Sequence, residues 1–200
     1  MIEKDINRSE YVYLSKDLIY LRGRRYHGQR NHIKRFKEAY PHFKMEAISQ
    51  ENIPECLELL QQWLSSKYGD LDNRNMDANE VLQTKSFLDE EAVAVKEALL
   101  NFHRLPLKGL AIRIDGKIRA FSIGERLNQE TALIHIEKAD HRYRGLPQFI
   151  CQVTTQIAWP DCEFINREED LGLKGLRKAK LAIGPNHFAN KYNICWRQQL

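Results

Sequence analysis

The Asp115-Gly116 pair constrains this chain more than any other two residues. It lies between two runs of β-forming residues, 109–114 and 117–127. Asp-Gly readily adopts the positive-φ conformations of a tight hairpin turn, whose twist matches that of the flanking strands. A further run at 131–139 follows after Asn128-Gln129-Glu130. Neighbouring strands joined by turns this short pair antiparallel, because a parallel connection needs a crossover of a dozen or more residues. An antiparallel meander is therefore expected in the second half of the chain, and the other elements must pack around it.

Helical spacing dominates before the meander. Tyr26, Ile33, Phe36 and Tyr40 fall on one stripe of a helix over 24–40, which Pro41 ends. Cys56, Leu57, Leu60, Trp63 and Leu64 form the apolar face of a second helix, with Pro54 in its first turn and Gly69 as its left-handed cap. Residues 71–79 read as a polar loop. A long helix over 78–102 turns Val81, Leu82, Leu88, Val93, Leu99 and Phe102 inward. Short strands are expected at 11–14 and 43–48. After the meander come a helix at 146–158, a strand at Phe164 and Ile165, a short helix near 175–182 and a last strand at 192–196. This order describes an α+β domain with one central, mainly antiparallel mixed sheet flanked by helices.

At 200 residues the chain can bury one substantial core. Charged residues make up 29%, yet the net charge is only +4, so the distribution of charge says more than its total. Seven Lys or Arg and no acid lie between Arg22 and Lys37. A basic helix of this kind suits a phosphate backbone such as that of tRNA, with Arg24, Arg25, Arg30 and Lys34 as the expected contacts. The plainer reading is a solvated helix face. No apolar run approaches the ~20 residues of a membrane span. The charged N-terminus lacks the apolar core of a secretory signal, and the chain reads as cytoplasmic. The four cysteines have no paired spacing and the seven histidines no i, i+4 pair, so no metal motif is present. Nor is there a Gly-Lys-Ser/Thr phosphate loop or a Gly-x-Ser-x-Gly elbow, which sets aside the commonest nucleotide hydrolase and serine hydrolase chemistries.

The stretch 162–180 concentrates polar chemistry. Apolar Phe164 and Ile165 run directly into Asn166, Arg167, Glu168, Glu169 and Asp170, and a short basic helix then carries Arg177, Lys178 and Lys180. Ligands of open α/β sheets bind beyond the carboxyl ends of the strands. Carboxylates there suit an amino group, and a guanidinium suits a carboxylate or phosphate. Asn166, Arg167, Glu168, Asp170, Arg177 and Lys180 are therefore the candidate substrate-binding residues. The alternative is a surface ion-pair network capping the next helix.

Three segments, LIYLRGRRYHGQRNHIKRFKEAYP, AFSIGERLNQETALIHIEKADHRYRGL and FINREEDLGLKGLRKAKL, together resemble the phosphatidylglycerol lysyltransferase C-terminal-domain family over nearly the whole chain. The R-x-x-G at 142–145 is also similar to the loop with which GNAT acyltransferases hold the pyrophosphate of coenzyme A. The resemblance implies a GNAT-like acyltransferase fold. It implies transfer of an activated acyl group to an amine or hydroxyl acceptor, a small-molecule amine above all. The donor would be a coenzyme A thioester or an aminoacyl-tRNA, with no tightly bound cofactor. Arg142, Arg144 and Gly145 would face that donor, at a helix N-terminus that attracts anions. Pro147 removes one N–H from this loop, which tilts the choice of donor toward aminoacyl-tRNA. His135 and Glu137 are two apart on a strand, hence on one face, and are the implied proton-moving residues. Glu125 on the neighbouring strand would be their partner. A buried histidine with a hydrogen-bond partner, beside an ion-paired glutamate, is the alternative. The family is built from tandem GNAT-like folds. Residues 1–48 accordingly read as the end of a truncated first unit with its basic connecting helix, and 49–200 as the transferase domain. An exposed apolar surface is then expected near the N-terminus. A non-catalytic RNA-binding or interaction module derived from such an enzyme is the other class these residues allow.

Overall fold

The chain opens with a long strand, β1 (Ile2–Leu14), and a short helix, α1 (Ser15–Tyr20). Helix α2 (His27–Ala39) is entered through a 3-10 turn at Arg24–Tyr26. Strand β2 (Lys44–Ala47) and helices α3 (Ile53–Asp72) and α4 (Ala78–Leu100) follow. The meander comprises β3 (Leu107–Ile114), β4 (Lys117–Arg126) and β5 (Thr131–Ala139). Helix α5 (Leu146–Ala158), strand β6 (Phe164–Asn166), helix α6 (Lys174–Ile183) and strand β7 (His187–Ile194) complete the order. The computed structural model describes residues 1–72 and 77–196.

All seven strands lie in one sheet, ordered β2-β3-β4-β5-β6-β1-β7. Asp115 and Gly116 have φ values of 49° and 79°, as a tight hairpin between twisted strands demands. Every neighbouring pair is antiparallel except β5 and β6, which the α5 crossover joins in parallel. That parallel pairing lasts three residues, from Thr131↔Phe164 to Leu133↔Asn166. Beyond it β5 continues through Ala139 while β6 stops. The sheet therefore opens on the far side of Leu133 and Asn166. The single sheet also runs across the expected division at residue 48, since β1 and β2 pair with β6, β7 and β3.

Period-2 alternation distributes the core between two faces. Leu110, Ile112 and Ala120 pack with Ile33 and Phe36 of α2 and with Phe149 and Ile150 of α5. Ala111, Phe121 and Ile123 pack on the other face with Cys56, Leu60 and Leu99 of α3 and α4. Phe36 sits 5.2–5.6 Å from the rings of Tyr40, Phe43 and Phe149. Such pairs contribute ~0.5–1.5 kcal/mol each beyond burial, and this group fixes α2 on α5. The stripe expected for 24–40 is thus the one the structure buries.

Four expectations change. Helix α3 passes through Gly69 and ends at Asp72, so Gly69 is not its cap. A mid-helix glycine costs only ~1 kcal/mol, and buried Leu71 in the added turn offsets it. In α4, Leu82 is 70% and Val93 62% exposed. Only Val95 and Leu99 of that helix are fully buried; the face from Thr84 to Ala98 borders a cleft, and Leu82 and Val93 lie off that face. Strand β1 reaches back to Ile2, and β7 starts at His187 rather than 192. Most of that added ribbon is exposed on both faces and carries no burial pattern to read. The expected polar loop at 71–79 lies mostly in the helices that flank it, and its 73–76 portion is outside the described residues.

The N-terminal strand does expose apolar side chains. Ile2 pairs with Ile194 and Lys4 with Tyr192, and Ile2 and Ile194 are 71% and 75% exposed.

Gly145, at the start of α5, has φ +93°, and a Cβ built there would lie 2.1 Å from the His32 carbonyl oxygen of α2. The two helices can meet at this point only through a glycine. We expect Gly145→Ala to destabilise the fold by more than ~2 kcal/mol, combining a disfavoured φ with a steric clash. Urea denaturation followed by circular dichroism measures this, and a loss within ~0.5 kcal/mol of zero would show that α2 can retreat freely.

Candidate active site

Where the sheet opens, a cleft of about 770 Å³ lies between α4, the end of β5 and the loop leading to α6. One wall is apolar, with Phe87 and Leu88 of α4 facing Leu105, Leu171, Leu173 and Leu176. The floor is polar and includes Glu125, His135, Glu137, Arg167, Glu168 and Lys180. Among the described residues no group of three or more His, Cys, Asp or Glu is placed to hold a metal ion.

His135 occupies a β-bulge. Ile134 pairs with Gly124 and Ile136 with Ile123, so His135 is the extra residue on β5. The bulge breaks the alternation from which His135 and Glu137 were expected to share a strand face. Both still line the cleft, but Glu137 also borders a second cavity beside α5. The His135 Nδ1 lies 2.8 Å from Glu168 Oε1 and its Nε2 lies 3.2 Å from Glu125 Oε1. The Glu168 contact, then burial working against it, then Glu125, combine to raise the imidazole above its ordinary pKa. The sequence already offered Glu125 as a partner; Glu168 is the closer one.

Glu137 is bound to Arg167, whose Nη2 donates to its Oε1 at 2.9 Å. Both side chains are more than four-fifths buried. Burial works against the guanidinium, but nearby groups, Glu137 among them, raise its pKa further. Lys180 reaches the site from α6 and spends its ammonium on backbone. Its Nζ donates to the carbonyls of Arg167, Glu168 and Glu169 at 2.6, 3.1 and 2.6 Å. Burial pulls its pKa down to about 8.

Asn166, Asp170 and Arg177 were expected to bind substrate, and none of them lines the cleft. Asn166 Nδ2 donates to Glu10 at 2.7 Å, and its Oδ1 accepts from the Glu168 N–H at 2.9 Å. Asp170 is completely buried and takes hydrogen bonds from Tyr11, from the Gly172 N–H and from both the Nε and Nη2 of Arg177. These bonds outweigh the cost of burial and hold the Asp170 carboxyl down at about 2. The three residues frame the loop: they tie it to β1 and to the start of α6, so that Arg167 and Glu168 are presented to the cleft.

The expected donor loop is otherwise engaged. Helix α2 packs directly against Gly145, where a Cβ would meet the His32 carbonyl. Arg142 is exposed and paired with Asp140 at 2.7 Å, and Arg144 is exposed; neither borders the two cavities. The basic helix is also less available than its sequence implies. Arg30 turns inward and donates to the Leu21 and Gly23 carbonyls, which cap α1. Arg25 is bonded to Asp17 and to the Tyr26 hydroxyl, each at 2.7 Å. Lys34 remains exposed 3.7 Å from Glu38, and Arg24 is exposed. Cysteine nucleophiles are disfavoured near the cleft, since burial pushes the Cys151 thiol up to about 12.

Reading the sequence alone missed the apolar wall and the acids Glu91 and Glu169 that also line the cleft. One signal was present for the bulge. Gly124 sits inside an otherwise regular strand, and an isolated strand glycine marks a bulge or a close backbone approach. A Cβ there would lie 2.4 Å from the Leu133 carbonyl oxygen.

An antiparallel sheet opened beside one short parallel pair, with an α-helix crossing over at that point, is a mixed α+β architecture. The chain matches the family "Phosphatidylglycerol lysyltransferase, C-terminal" over residues 2–195, and it belongs to that family. A conserved protein of unknown function from Bacteroides thetaiotaomicron is similar at 34% identity and a TM-score of 0.79, over 96% of this chain and 60% of the other. The C-terminal domain of a candidate lysylphosphatidylglycerol synthetase from Agrobacterium fabrum shares the fold, with 16% identity, a TM-score of 0.57 and the same coverage. The chain thus spans 60% of the length of each of these structures. None of the curated proteins matches it.

Two outcomes follow for the site. A histidine whose folded pKa is raised contributes stability that is complete below its unfolded value of ~6.5 and is lost as pH rises through the folded value. The Tm advantage of the wild type over His135→Asn should therefore be larger at pH 6 than at pH 9; an advantage that grows with pH would mean the carboxylates do not hold the imidazolium. Lys180→Met should cost ~2–3 kcal/mol, because charge-assisted bonds to buried carbonyls are lost, and should speed amide exchange at 167–171. Unchanged exchange there would show that Lys180 does not hold the loop.

Proposed function

We propose that this chain is a GNAT-like acyl or aminoacyl transferase that carries out its chemistry in the cleft around His135. The observation that supports this most directly is the imidazole at a β-bulge, held between two carboxylates on the polar floor of a half-apolar cleft. Histidine and carboxylate in this relation form an oriented general base. The acceptor would be an amine or hydroxyl, and an acceptor ammonium would find Glu125 and Glu168 as partners.

The reaction is attack of the acceptor nitrogen or oxygen on an activated carbonyl. A new C–N or C–O bond forms, and the ester or thioester bond to the donor breaks. When the acceptor displaces one carboxylate from the ring, His135 first gives that nitrogen's proton to solvent, and the neutral imidazole then takes the proton from the attacking group. It returns that proton to the departing oxygen or sulfur.

An aminoacyl ester, as on aminoacyl-tRNA, fits as donor better than coenzyme A does. Pro147 withholds an N–H from the turn that would cradle a pyrophosphate, and α2 packs directly against Gly145 there. The test is a single-turnover assay with radiolabelled aminoacyl-tRNAs and, separately, acetyl-coenzyme A, each with lysine, ethanolamine and a short peptide as amines. Transfer is expected from aminoacyl-tRNA, and His135→Gln should lower its rate by ~10²–10⁴-fold. Transfer from acetyl-coenzyme A alone would reverse the choice of donor, and full activity in His135→Gln would remove the assigned base.

A further inference from the structure

A second cavity of about 310 Å³ lies on the other side of the Glu137–Arg167 pair, enclosed by α1, α2, α5 and α6. Among the described residues, only Glu137 and Arg167 line both this cavity and the cleft. The ion pair is therefore the partition between two spaces. Its wall toward the smaller cavity mixes Leu18, Ile33 and Ile183 with the carboxamides of Gln29 and Gln148.

The partition is unevenly satisfied. A guanidinium carries five N–H donors in a fixed fork. Arg167 Nη2 serves Glu137, but Arg167 Nη1 is buried and has no hydrogen-bond partner. The surroundings offer no second anion: Cys151 is held neutral, and Tyr13 presents its ring 5.8 Å away. A buried cationic donor without an acceptor is unfavourable unless a ligand supplies one.

We propose that the smaller cavity binds an oxyanion, a carboxylate or a phosphate oxygen of a substrate, through the Arg167 guanidinium, which turns to bring the buried Nη1 to the anion, and that this turn loosens the hold of Arg167 on Glu137. Glu137 is then released toward the cleft, where it joins His135 in handling the acceptor proton. The ion pair acts as a latch that opens when the anion arrives, so an empty protein keeps this carboxylate engaged. This inference rests on the transferase reading for the role of Glu137, but the anion site itself does not.

The test uses N-acetylglycine for a carboxylate, methyl phosphate for a phosphate and N-acetylglycinamide as the neutral control, with the full chain. Binding is followed by calorimetry and by the Arg167 side-chain nitrogen and Glu137 carboxylate carbon resonances. One of the two anions should bind saturably and shift both resonances, the neutral control should not, and the anion that binds identifies the source. Arg167→Gln should weaken binding at least tenfold. Glu137→Gln removes the competing carboxylate and should strengthen anion binding several-fold, which a purely structural pair would not do. This second variant keeps the test open if Arg167→Gln fails to fold. Absence of binding by both anions, binding that leaves the Glu137 resonance unmoved, or weaker binding in Glu137→Gln would each overturn the proposal. Anion binding without any transfer activity would leave the site in place and remove only the transferase reading.

Discussion

A parallel strand pair three residues long governs the architecture. Two strands that part company inside a sheet leave backbone and side chains on one flank without a neighbour, and folded proteins rarely leave such polar groups unpaired. Here the gap is filled from both sides by opposite charges, Glu137 from β5 and Arg167 from just past β6. In place of main-chain bonds, a side-chain ion pair closes the sheet. Both cavities exist because that closure uses two long side chains and not a continuous ladder.

The charged run after β6 divides its labour. Arg167 and Glu168 reach the cleft, while Asn166, Asp170 and Lys180 bond to β1, α6 and the loop's own carbonyls. The loop also contains Glu168 and Leu171 at φ 56° and 52°, conformations that side-chain-bearing residues rarely adopt. Such a path persists only when its surroundings over-determine it, and the buried Asp170 network does that. Polar residues that look alike in the sequence therefore split into those that face a ligand and those that fix where the first group points.

Much of the scaffold was legible. The hairpin at Asp115-Gly116, the apolar stripe of α2 and the face of α3 follow from turn chemistry and periodicity, which are local. Legibility failed where the determinant was not local. The ribbon of β1 and β7 has no core face, so neither its length nor its register leaves a hydrophobic pattern. Val93 and Leu82 of α4 obey helical spacing but face outward and line neither the core nor the cleft. The bulge moved His135 by inserting one residue, which no alternation rule can anticipate except through Gly124. For the site, the sequence supplied Glu125, His135, Glu137, Arg167, Glu168 and Lys180; which of their neighbours were structural depended on contacts such as Asp170 to Tyr11, 159 residues apart.

The two outer strands are held together beyond their ladder: the Met1 amino group donates to the Cys195 carbonyl at 2.8 Å, and the Cys195 N–H to the Met1 carbonyl at 3.0 Å. β1 has no strand partner nearer in sequence than β6. This has a kinetic meaning. Pairing across such separations must meet loop-closure entropy before any contact rewards it, and non-local topologies fold slowly for that reason. During synthesis the first strand emerges long before its neighbours, at a pace of ~5–20 residues per second. The meander with α3, α4 and α5 can assemble in the meantime. The sheet can be completed only when β6, and then β7, have left the ribosome, so the first strand waits for β6 and the pairing of β7 comes after it.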